Sequence, residues 1–346
     1  MTRDEEITDF LGKSGWKGAR RVPLAADASL RVYDRVMLDG RTGVLMNVLP
    51  VRNAERFLPQ QLVLVREFVI VDGLLRDIGI RAPEIYAKDI DAGLMLLEDF
   101  GDNSFTRLLD AGRDARALYR LATDAAIHIK RNLRLPDNMI VTHDPRLMRA
   151  DMQHLLDWVI PYVSQTALSA EALAEYDALA VDLIARIQKM PKGLALYDYH
   201  VDNLMLTPDG ACGVLDFQDV RLTGATYDIM SLLNDERRDV PEDVRAEMLA
   251  RYYAAFPELD TPEIRALSNL LILERHIKVV GQFTRFYVND KRDKYLKYLP
   301  LIWTKIERRL EAPECRPLKK WLDAHVPQSV RYLEPDALIK HIKGAP

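Results

Sequence analysis

One stretch of the sequence decides the fold: LALYDYHVDNLMLTPDGACGVLDFQD, at residues 194–219. The runs LALYD, NLMLT and CGVLDF have the composition of short strands, and PDG makes a tight turn between the last two. Asp198 follows the first run, Asn203 opens the second, and Asp216 ends the third. The pattern predicts a strand, a loop and a hairpin whose three oxygen-bearing side chains face one cleft.

The three side chains suit the transfer of a phosphoryl group from ATP. That reaction depends mainly on positioning and on neutralising charge. One carboxylate orients the attacking hydroxyl and receives its proton. A second carboxylate and an amide oxygen hold Mg²⁺, a cation that prefers oxygen ligands. A single Asp or Asn in a loop is more often a turn former or a helix cap, but the combination favours a kinase site.

Composition limits the other classes of function. The 346 residues, 48% of them hydrophobic, are enough for two domains or one large two-lobed unit. The 48 basic and 52 acidic residues leave a formal charge of −4, so we expect neither a nucleic-acid groove nor a membrane anchor. The start MTRDEEITDF lacks the apolar core of a signal peptide, and we expect a cytoplasmic protein. Cys212 and Cys315 are interpreted as reduced thiols.

The first hundred residues mix strand and helix patterns. LRVYDRVML and TGVLMNVL flank an Asp39-Gly40 turn and predict an antiparallel hairpin. RFLPQQLVLVREFVIVDGLLRDIG predicts a helix that ends near Gly79, and APEIYAKDIDAGLMLLEDFGD predicts two further strands around a turn at Asp91-Ala92-Gly93. The order indicates a small lobe, residues 1–99, with an antiparallel sheet and a helix.

Long amphipathic helices dominate the remainder. Apolar residues recur at helical spacing from Glu171 to Lys189, where PKG at 191–193 ends the helix. Helical patterns return after Asp219, and no internal repeat is visible. The sequence therefore predicts an α+β protein with a mostly helical second lobe, residues 100–346.

The opening stretch resembles the aminoglycoside phosphotransferase and choline kinase branch of the protein-kinase-like superfamily, in which a D-x-x-x-x-N loop precedes an LDF or IDF strand. Within that branch, ADASLRVYDR (26–35), LMLLEDFGD (94–102) and ERHIKVVGQFTRF (274–286) are similar to the N-acetylmuramate/N-acetylglucosamine kinases of cell-wall recycling. The resemblance implies a protein-kinase-like two-lobed fold, ATP and Mg²⁺ as cofactors, and a small-molecule substrate, an amino sugar being favoured. It also implies a monomer or weak dimer.

The resemblance carries site roles onto matching positions. Asp198 would be the catalytic base, and Asn203 and Asp216 the magnesium ligands. Asp228, in TYDIMSLL, would hydrogen-bond the backbone of the catalytic loop; alternatively it is an ordinary carboxylate at a helix amino terminus. The remaining roles concern the nucleotide. Ser29 and Arg31 would belong to a loop that covers the phosphates. An interlobe hinge would bind adenine through its main chain, at Leu97, Glu98, Asp99 and Phe100.

Two positions depart from the family pattern. The histidine that usually stands two residues before the catalytic aspartate is replaced by Leu196. No lysine occurs between Lys17 and Lys88, so the phosphate-binding lysine of the third strand is missing. We expect Arg31 to supply its charge.

Candidates for the acceptor site lie in the helical part. Arg275 and Lys278 share a face of an otherwise apolar helix and would suit a carboxylate or a developing phosphate charge; the alternative is a solvated basic face. Asp157 and Trp158 pair a hydrogen-bond acceptor with a flat ring, as sugar sites often do, although Trp158 is equally compatible with a core position.

The leading interpretation is an ATP-dependent kinase of the anomeric hydroxyl of N-acetylmuramate or N-acetylglucosamine. Two alternatives remain: a kinase of another small acceptor, such as an aminoglycoside or choline, and a catalytically dead nucleotide-binding protein. The basic residues at 275 and 278 argue against a polycationic acceptor. Retention of all three oxygen-bearing residues argues against a dead site.

Overall fold

The computed structural model describes residues 2–24, 31–48 and 59–344, with only the backbone of residues 59–64. Ser29 lies outside the described residues. The chain forms two compact units: Met1–Met139 with Asp198–Val220, and Ile140–Tyr197 with Arg221–Pro346. The predicted division after residue 99 does not coincide with these units, because residues 100–139 and the hairpin around residue 210 belong to the first.

In the described ranges the strands are β1 Arg20–Pro23, β2 Arg31–Leu38, β3 Arg41–Val48, β4 Ile85–Asp89, β5 Leu94–Glu98, β6 Val141–Thr142, β7 Lys192–Ala195, β8 Leu204–Leu206, β9 Cys212–Val214 and β10 Arg221–Gly224. The α-helices of the same ranges are α1 Arg3–Lys13, α2 Pro59–Asp77, α3 Phe105–Asp110, α4 Ala115–Asn132, α5 Pro145–His154, α6 Ala170–Ile187, α7 Tyr227–Leu233, α8 Glu242–Ala255, α9 Pro262–Asp290, α10 Leu299–Leu310, α11 Arg316–His325, α12 Gln328–Arg331 and α13 Pro335–Lys343. A π-helix, Leu155–Ser164, continues α5.

The first unit contains an antiparallel sheet in the order β1-β2-β3-β5-β4. Its central hairpin pairs Leu38 with Arg41 across the Asp39-Gly40 turn, where both residues have positive φ, as two-residue hairpin turns require. The β4–β5 hairpin follows the predicted turn as well. Both predicted hairpins are therefore confirmed.

Two elements of the first unit were not predicted. Strand β1 adds to the edge of β2, and α1 precedes it. Thr2 and Glu5 form a capping box that begins α1, and the helix buries Ile7, Phe10 and Leu11 in one apolar cluster with the sheet. The MTRDEEITDF segment was analysed only for a signal peptide, so its capping pattern was missed.

The hairpin of β8 and β9 belongs to the first unit, with Leu204 opposite Val214. The run LALYD does not join it. Its strand β7 ends at Ala195 and pairs antiparallel with β10 in the second unit, which also contains the parallel β6–β10 pair. The predicted order of strand, loop and hairpin is therefore confirmed, and the partner of the first strand, β10, follows the hairpin in the chain.

Helix α9 forms the centre of the second unit. Thr261 caps its amino terminus, and most of the residues from Ile264 to Phe283 are buried. Gly281 lets α9 approach the junction of α5 and the π-helix, since a Cβ there would lie 2.4 Å from the His154 carbonyl oxygen. Close backbone packing at this junction requires glycine.

Helix α6 and the helices after β10 follow the predicted pattern, with α6 starting one residue before the predicted range. The predicted α+β class and protein-kinase-like fold are confirmed. Among the described helices, none combines the length and apolar character needed to cross a membrane.

Candidate active site

A cavity of about 370 Å³ lies within the first unit. A volume of this size is in the range of small-molecule sites. The cavity brings together all of the described residues predicted to hold the nucleotide and the metal: Arg31, Leu97, Glu98, Asp99, Phe100, Asn203 and Asp216. Residues more than 180 positions apart in sequence thus meet at one surface.

Part of the cavity lining is apolar. Val44 of β3, Leu97 of β5, Met205 of β8 and Leu215 line it. Strand alternation places Val44 and Met46 on this face of β3, whereas Leu45 joins the α1 cluster on the other. The result is an apolar slot between two strand systems, suitable for a flat ring.

Gly213 of the β8–β9 hairpin allows close packing against Phe100, which lines the cavity. A Cβ at Gly213 would lie 2.8 Å from the Phe100 ring and 2.8 Å from the Thr207 methyl group. The hairpin therefore packs directly against the segment that follows β5. This contact explains why the CGVLDF run needs a glycine in its second position.

The acidic side chains of the predicted hinge have partners within the protein. Glu98 accepts a hydrogen bond from Arg81 at 2.8 Å. Asp99 pairs with Arg35 at 2.7 Å and accepts from the N–H of Gly101 at 2.9 Å. These carboxylates already have partners within the protein. A ligand at the predicted hinge would therefore be bound through the main chain, which is the contact that the sequence predicts.

Charged groups also line the cavity. The Arg31 guanidinium lies 2.6 Å from Asp216 Oδ1. Burial opposes the positive charge of Arg31, yet the neighbouring Tyr33, Asp216 and Asp219 hold its pKa above the ordinary value. Arg31 therefore stays charged at the edge of the cavity.

Asp216 and Asn203 present an oxygen donor set. Among the described residues, Arg31 and Gln218 both donate to Asp216 Oδ1, which leaves Oδ2 available. The Asn203 Nδ2 donates to the carbonyl of Asp198 at 2.9 Å, so its amide oxygen is turned away from that bond. A carboxylate and an amide oxygen fit a hard divalent cation such as Mg²⁺.

Backbone conformation marks the same region. Asp216 has φ of +55°, in the left-handed region that a non-glycine residue adopts only when its surroundings hold it. Aspartate tolerates this region better than most residues. The bend directs the Asp216 carboxylate into the cavity at the end of β9.

Helix α7 of the second unit holds the segment that precedes Asp198. Asp228 accepts hydrogen bonds from the N–H groups of Leu196 at 2.8 Å and Tyr197 at 3.1 Å. This is the contact that the family resemblance implies for the helix-borne aspartate. It holds the two residues immediately before Asp198 in the chain.

No lysine points into the described cavity from β3. Asn47, one candidate for the missing position, accepts two hydrogen bonds from Arg3 of α1, at 3.0 and 2.7 Å. Met46, the other candidate, is buried. Arg31, on the neighbouring strand β2, pairs with Asp216, and its substitution for the lysine expected on β3 stays a prediction.

The predicted acceptor residues lie in the second unit, with differing exposure. Arg275 is 4% exposed and donates to Glu236 at 2.6 Å, to the Tyr197 carbonyl at 3.0 Å and to the Tyr227 hydroxyl at 2.9 Å. Burial opposes the charge of Glu236, but Arg275 holds its pKa well below the usual range. These contacts give Arg275 a role in supporting the loop; the alternative of a solvated basic face does not apply to it.

Lys278 is also buried and engaged. Its ammonium donates to the Tyr197 hydroxyl at 2.7 Å and lies 3.3 Å from Asp151 Oδ2. Asp157 and Trp158, on the π-helix, are more accessible: Asp157 is exposed, and the half-buried Trp158 stacks on Tyr162 at 5.9 Å between ring centroids. An acceptor role for these residues stays a prediction.

Sequence analysis missed several contributors. Val44, Met205 and Leu215 line the cavity. The position of Met205 two residues after Asn203 was an available signal for it, because strand alternation puts residues two apart on one face. Tyr197 and Asp151 meet only through long-range packing. No local pattern in the sequence pointed to that contact.

Fold and site together define a small-molecule kinase of the protein-kinase-like superfamily. The chain belongs to the phosphotransferase enzyme family, whose sequence pattern matches residues 21–267. It is 32% identical to an N-acetylmuramate/N-acetylglucosamine kinase of Caulobacter vibrioides, over 95% of this chain and 98% of that protein. It is 30% identical to a protein of the same name from Pseudomonas aeruginosa, over 90% and 92% of the two chains.

Solved structures support the fold. The gentamicin complex of the aminoglycoside phosphotransferase APH(2'')-IIa superposes with a TM-score of 0.59 at 13% identity, covering 91% of this chain and 98% of that one. Choline kinase LicA from Streptococcus pneumoniae superposes with the same TM-score at 13% identity, covering 89% and 97%. The family match and the relatives named as kinases confirm the resemblance to a small-molecule kinase.

Proposed function

We propose that the protein transfers the γ-phosphoryl group of ATP to the anomeric hydroxyl of an amino sugar, N-acetylmuramate or N-acetylglucosamine. The observation that carries the nucleotide half of this proposal is the cavity that is lined both by apolar side chains and by Arg31, Asn203 and Asp216. The acceptor half rests on similarity, over nearly the whole chain, to relatives named for these two sugars.

The adenine ring would occupy the apolar slot between Val44 and Met205, with the main chain of Leu97 to Phe100 beside it. Apolar contact on both faces and a few backbone hydrogen bonds are the usual means of holding such a ring. Because Arg31 and Asp216 line the same cavity, the triphosphate would extend toward them. Ser29, outside the described residues, stays a candidate for phosphate contact.

Arg31 would take the task of the missing lysine. Its ion pair with Asp216 keeps a permanent positive charge at the place where phosphate charge must be neutralised. A guanidinium can donate to a carboxylate and a phosphate at once through different N–H groups. The pair can therefore open or be shared when a nucleotide enters.

Asn203 and Asp216 would hold Mg²⁺, for which their oxygen atoms fit. When bound, the ion neutralises charge on the triphosphate and its transition state. The residues of this chain do the rest. Arg31 and Gln218 orient Asp216, and the Asp198 carbonyl orients the Asn203 amide.

Asp198 would act as the base. Its carboxylate would orient the sugar hydroxyl and receive its proton as the oxygen attacks the γ-phosphorus. The new P–O bond forms on the sugar oxygen while the bond to the β-phosphate oxygen breaks, and ADP leaves. Asp228 and Arg275 would keep the preceding residues in place during this step.

The experiment combines Mg-ATP with N-acetylmuramate, N-acetylglucosamine, choline and an aminoglycoside, follows ADP release, and identifies products by phosphorus NMR. We expect turnover on the two amino sugars and a phosphate on the anomeric carbon. Turnover restricted to choline or the aminoglycoside would contradict the proposed acceptor. Phosphate on another hydroxyl of the sugar would contradict the proposed position.

A further inference from the structure

Tyr197, the residue immediately before Asp198, has an unusual backbone conformation. Its φ of +74° lies in the left-handed region, which is unfavourable for a bulky L-residue. Such a conformation persists only where the surroundings over-determine it. The contacts of Tyr197 should therefore account for the strain.

The backbone of Tyr197 is held on both sides. Its N–H donates to Asp228 at 3.1 Å, and its carbonyl accepts from Arg275 at 3.0 Å. Both partners carry charge, and hydrogen bonds to charged groups are the stronger ones. The peptide planes that flank the residue are thus fixed.

The side chain is held independently at its far end. The Tyr197 hydroxyl donates to Asp151 Oδ2 at 3.0 Å and accepts from Lys278 Nζ at 2.7 Å. His143 also contacts the same carboxylate oxygen at 3.1 Å. We call Asp151, Lys278 and His143 the hydroxyl anchor.

The ring of Tyr197 is packed as tightly as its hydroxyl. It stacks on Tyr227 with ring centroids 4.8 Å apart and planes 4° from parallel. The Arg221 guanidinium lies 4.0 Å from the ring centroid, within the range of cation–π attraction. Backbone, ring and hydroxyl are therefore each held by different partners.

A metal site is the other interpretation of this cluster. Ligand atoms of His143, Asp151 and Glu274 lie within 4.8 Å of one another. The Lys278 ammonium, 3.3 Å from Asp151 Oδ2, already supplies the positive charge, and burial together with Asp151 raises the pKa of Glu274 well above its usual value. A divalent cation would have to displace an ammonium and deprotonate a buried acid, so the anchor explains the cluster better.

We propose that Tyr197 is the positioning residue of the catalytic loop and that the buried hydroxyl anchor holds it. The proposal rests on the proposed function, in which Asp198 is the base. Leu196, buried and apolar, stands where the family pattern has a loop-supporting histidine and cannot form a hydrogen bond through its side chain. Support for the loop has moved one residue along the chain, from an imidazole to a phenol.

The test compares Tyr197→Phe, Asp151→Asn and the double variant with wild type. Tyr197→Phe removes only the hydroxyl, and the stacked ring stays. We expect kcat to fall by about ten-fold or more in each single variant while KM for ATP stays within about two-fold, because misplacement of Asp198 affects chemistry and not nucleotide binding. The double variant should lose little more than the worse single variant, since both changes break one anchor.

Tyr176→Phe is the matched control. It deletes a hydroxyl that is also buried in the second unit and donates to the Met152 carbonyl at 2.9 Å. We expect its kcat to stay within about two-fold of wild type, because that bond does not reach the loop. Equal losses in Tyr197→Phe and Tyr176→Phe, or a wild-type kcat in Tyr197→Phe, would overturn the proposal.

Hydrogen exchange separates this proposal from the proposed function. In Tyr197→Phe, peptides that cover residues 194–203 should exchange faster than in wild type by about ten-fold, whereas Tyr176→Phe should leave them unchanged. This readout needs no acceptor. If wild type phosphorylates no sugar, the proposed function fails, and unchanged exchange in Tyr197→Phe would independently overturn the positioning role.

Discussion

Two arginine–carboxylate pairs, one in each unit, have the same 2.6 Å separation and very different surroundings. Arg31 and Asp216 meet at the cavity, where the Asp216 side chain is 37% exposed. Arg275 and Glu236 are 5% and 1% exposed. Water and ligands can compete for the first pair but not for the second.

The difference separates binding from positioning. A group that must exchange partners during a reaction has to be accessible, and the cavity pair meets that requirement. A group that fixes a loop has to keep its partners, which burial enforces because a charge left unpaired in the interior is costly. The two pairs should therefore respond oppositely to substitution, one in catalysis and one in stability.

The largest effect is expected for Arg275→Met. Removing one partner leaves the Glu236 charge buried, and the free energy of unfolding should fall by about 3–5 kcal/mol. Urea denaturation measures it. Replacing both residues, as Arg275→Met with Glu236→Leu, should recover most of the loss.

Arg265→Met is the matched control on the same helix. Arg265 pairs with Asp260 where the two side chains are 51% and 41% exposed, so its loss should cost less than about 1 kcal/mol. Similar losses in Arg265→Met and Arg275→Met would mean that burial does not distinguish the pairs.

Arg31→Ala should show the opposite profile. We expect KM for ATP to rise by about ten-fold, because one charge facing the phosphates is lost, while the urea midpoint changes little. Arg21→Ala is the control. Arg21 lies in the same sheet, pairs with Asp34 at 2.8 Å and does not line the cavity. An unchanged KM in Arg31→Ala would remove Arg31 as the substitute for lysine.

The contrast between the pairs also explains how far sequence reasoning reached. The β2–β3 and β4–β5 hairpins and helix α6 were predictable because turn residues and apolar periodicity are local. Asp198, Asn203 and Asp216 were predicted together because their spacing lies within one segment. Arg31 was predicted by one further step, from the absence of the expected lysine.

Long-range pairing set the limit. The β7–β10 pair joins segments on either side of the hairpin, so the LALYD run gave no sign of its partner. The hydroxyl anchor of Tyr197 brings together residues 151 and 278, which no local pattern connects. The left-handed φ of Tyr197 could not be predicted from the sequence either, because a tyrosine does not indicate that conformation.

A smaller effect concerns Asp72 of α2, which is 4% exposed. Burial raises its pKa to about 7. The folded state therefore holds the proton more tightly than the unfolded state, and the contribution of Asp72 to stability falls as pH rises from about 4 to about 7. Asp72→Asn should raise the melting temperature by a few degrees at pH 8 relative to wild type, with less gain at pH 5. Equal shifts at both pH values in Asp72→Asn would contradict the assignment.

The smallest expected effect is on the cysteines. Burial raises the pKa of Cys212 to about 12 and that of Cys315 to about 11, so neither forms much thiolate near neutral pH. Iodoacetamide at pH 8 should label the native protein slowly and leave activity unchanged, whereas both thiols should react in urea. Rapid labelling of the native protein would show that one of these sites opens readily.

The most direct test of the account is single-turnover phosphorylation of N-acetylmuramate by wild type and Asp198→Asn, with Mg-ATP binding measured in parallel. Asp209→Asn, at an exposed position of the adjacent hairpin turn, is the control. We predict that Asp198→Asn binds Mg-ATP as wild type does but transfers phosphate about 10³-fold more slowly, since general base catalysis contributes 10²–10⁴-fold. A transfer rate within about ten-fold of wild type would contradict the role of Asp198 as the base.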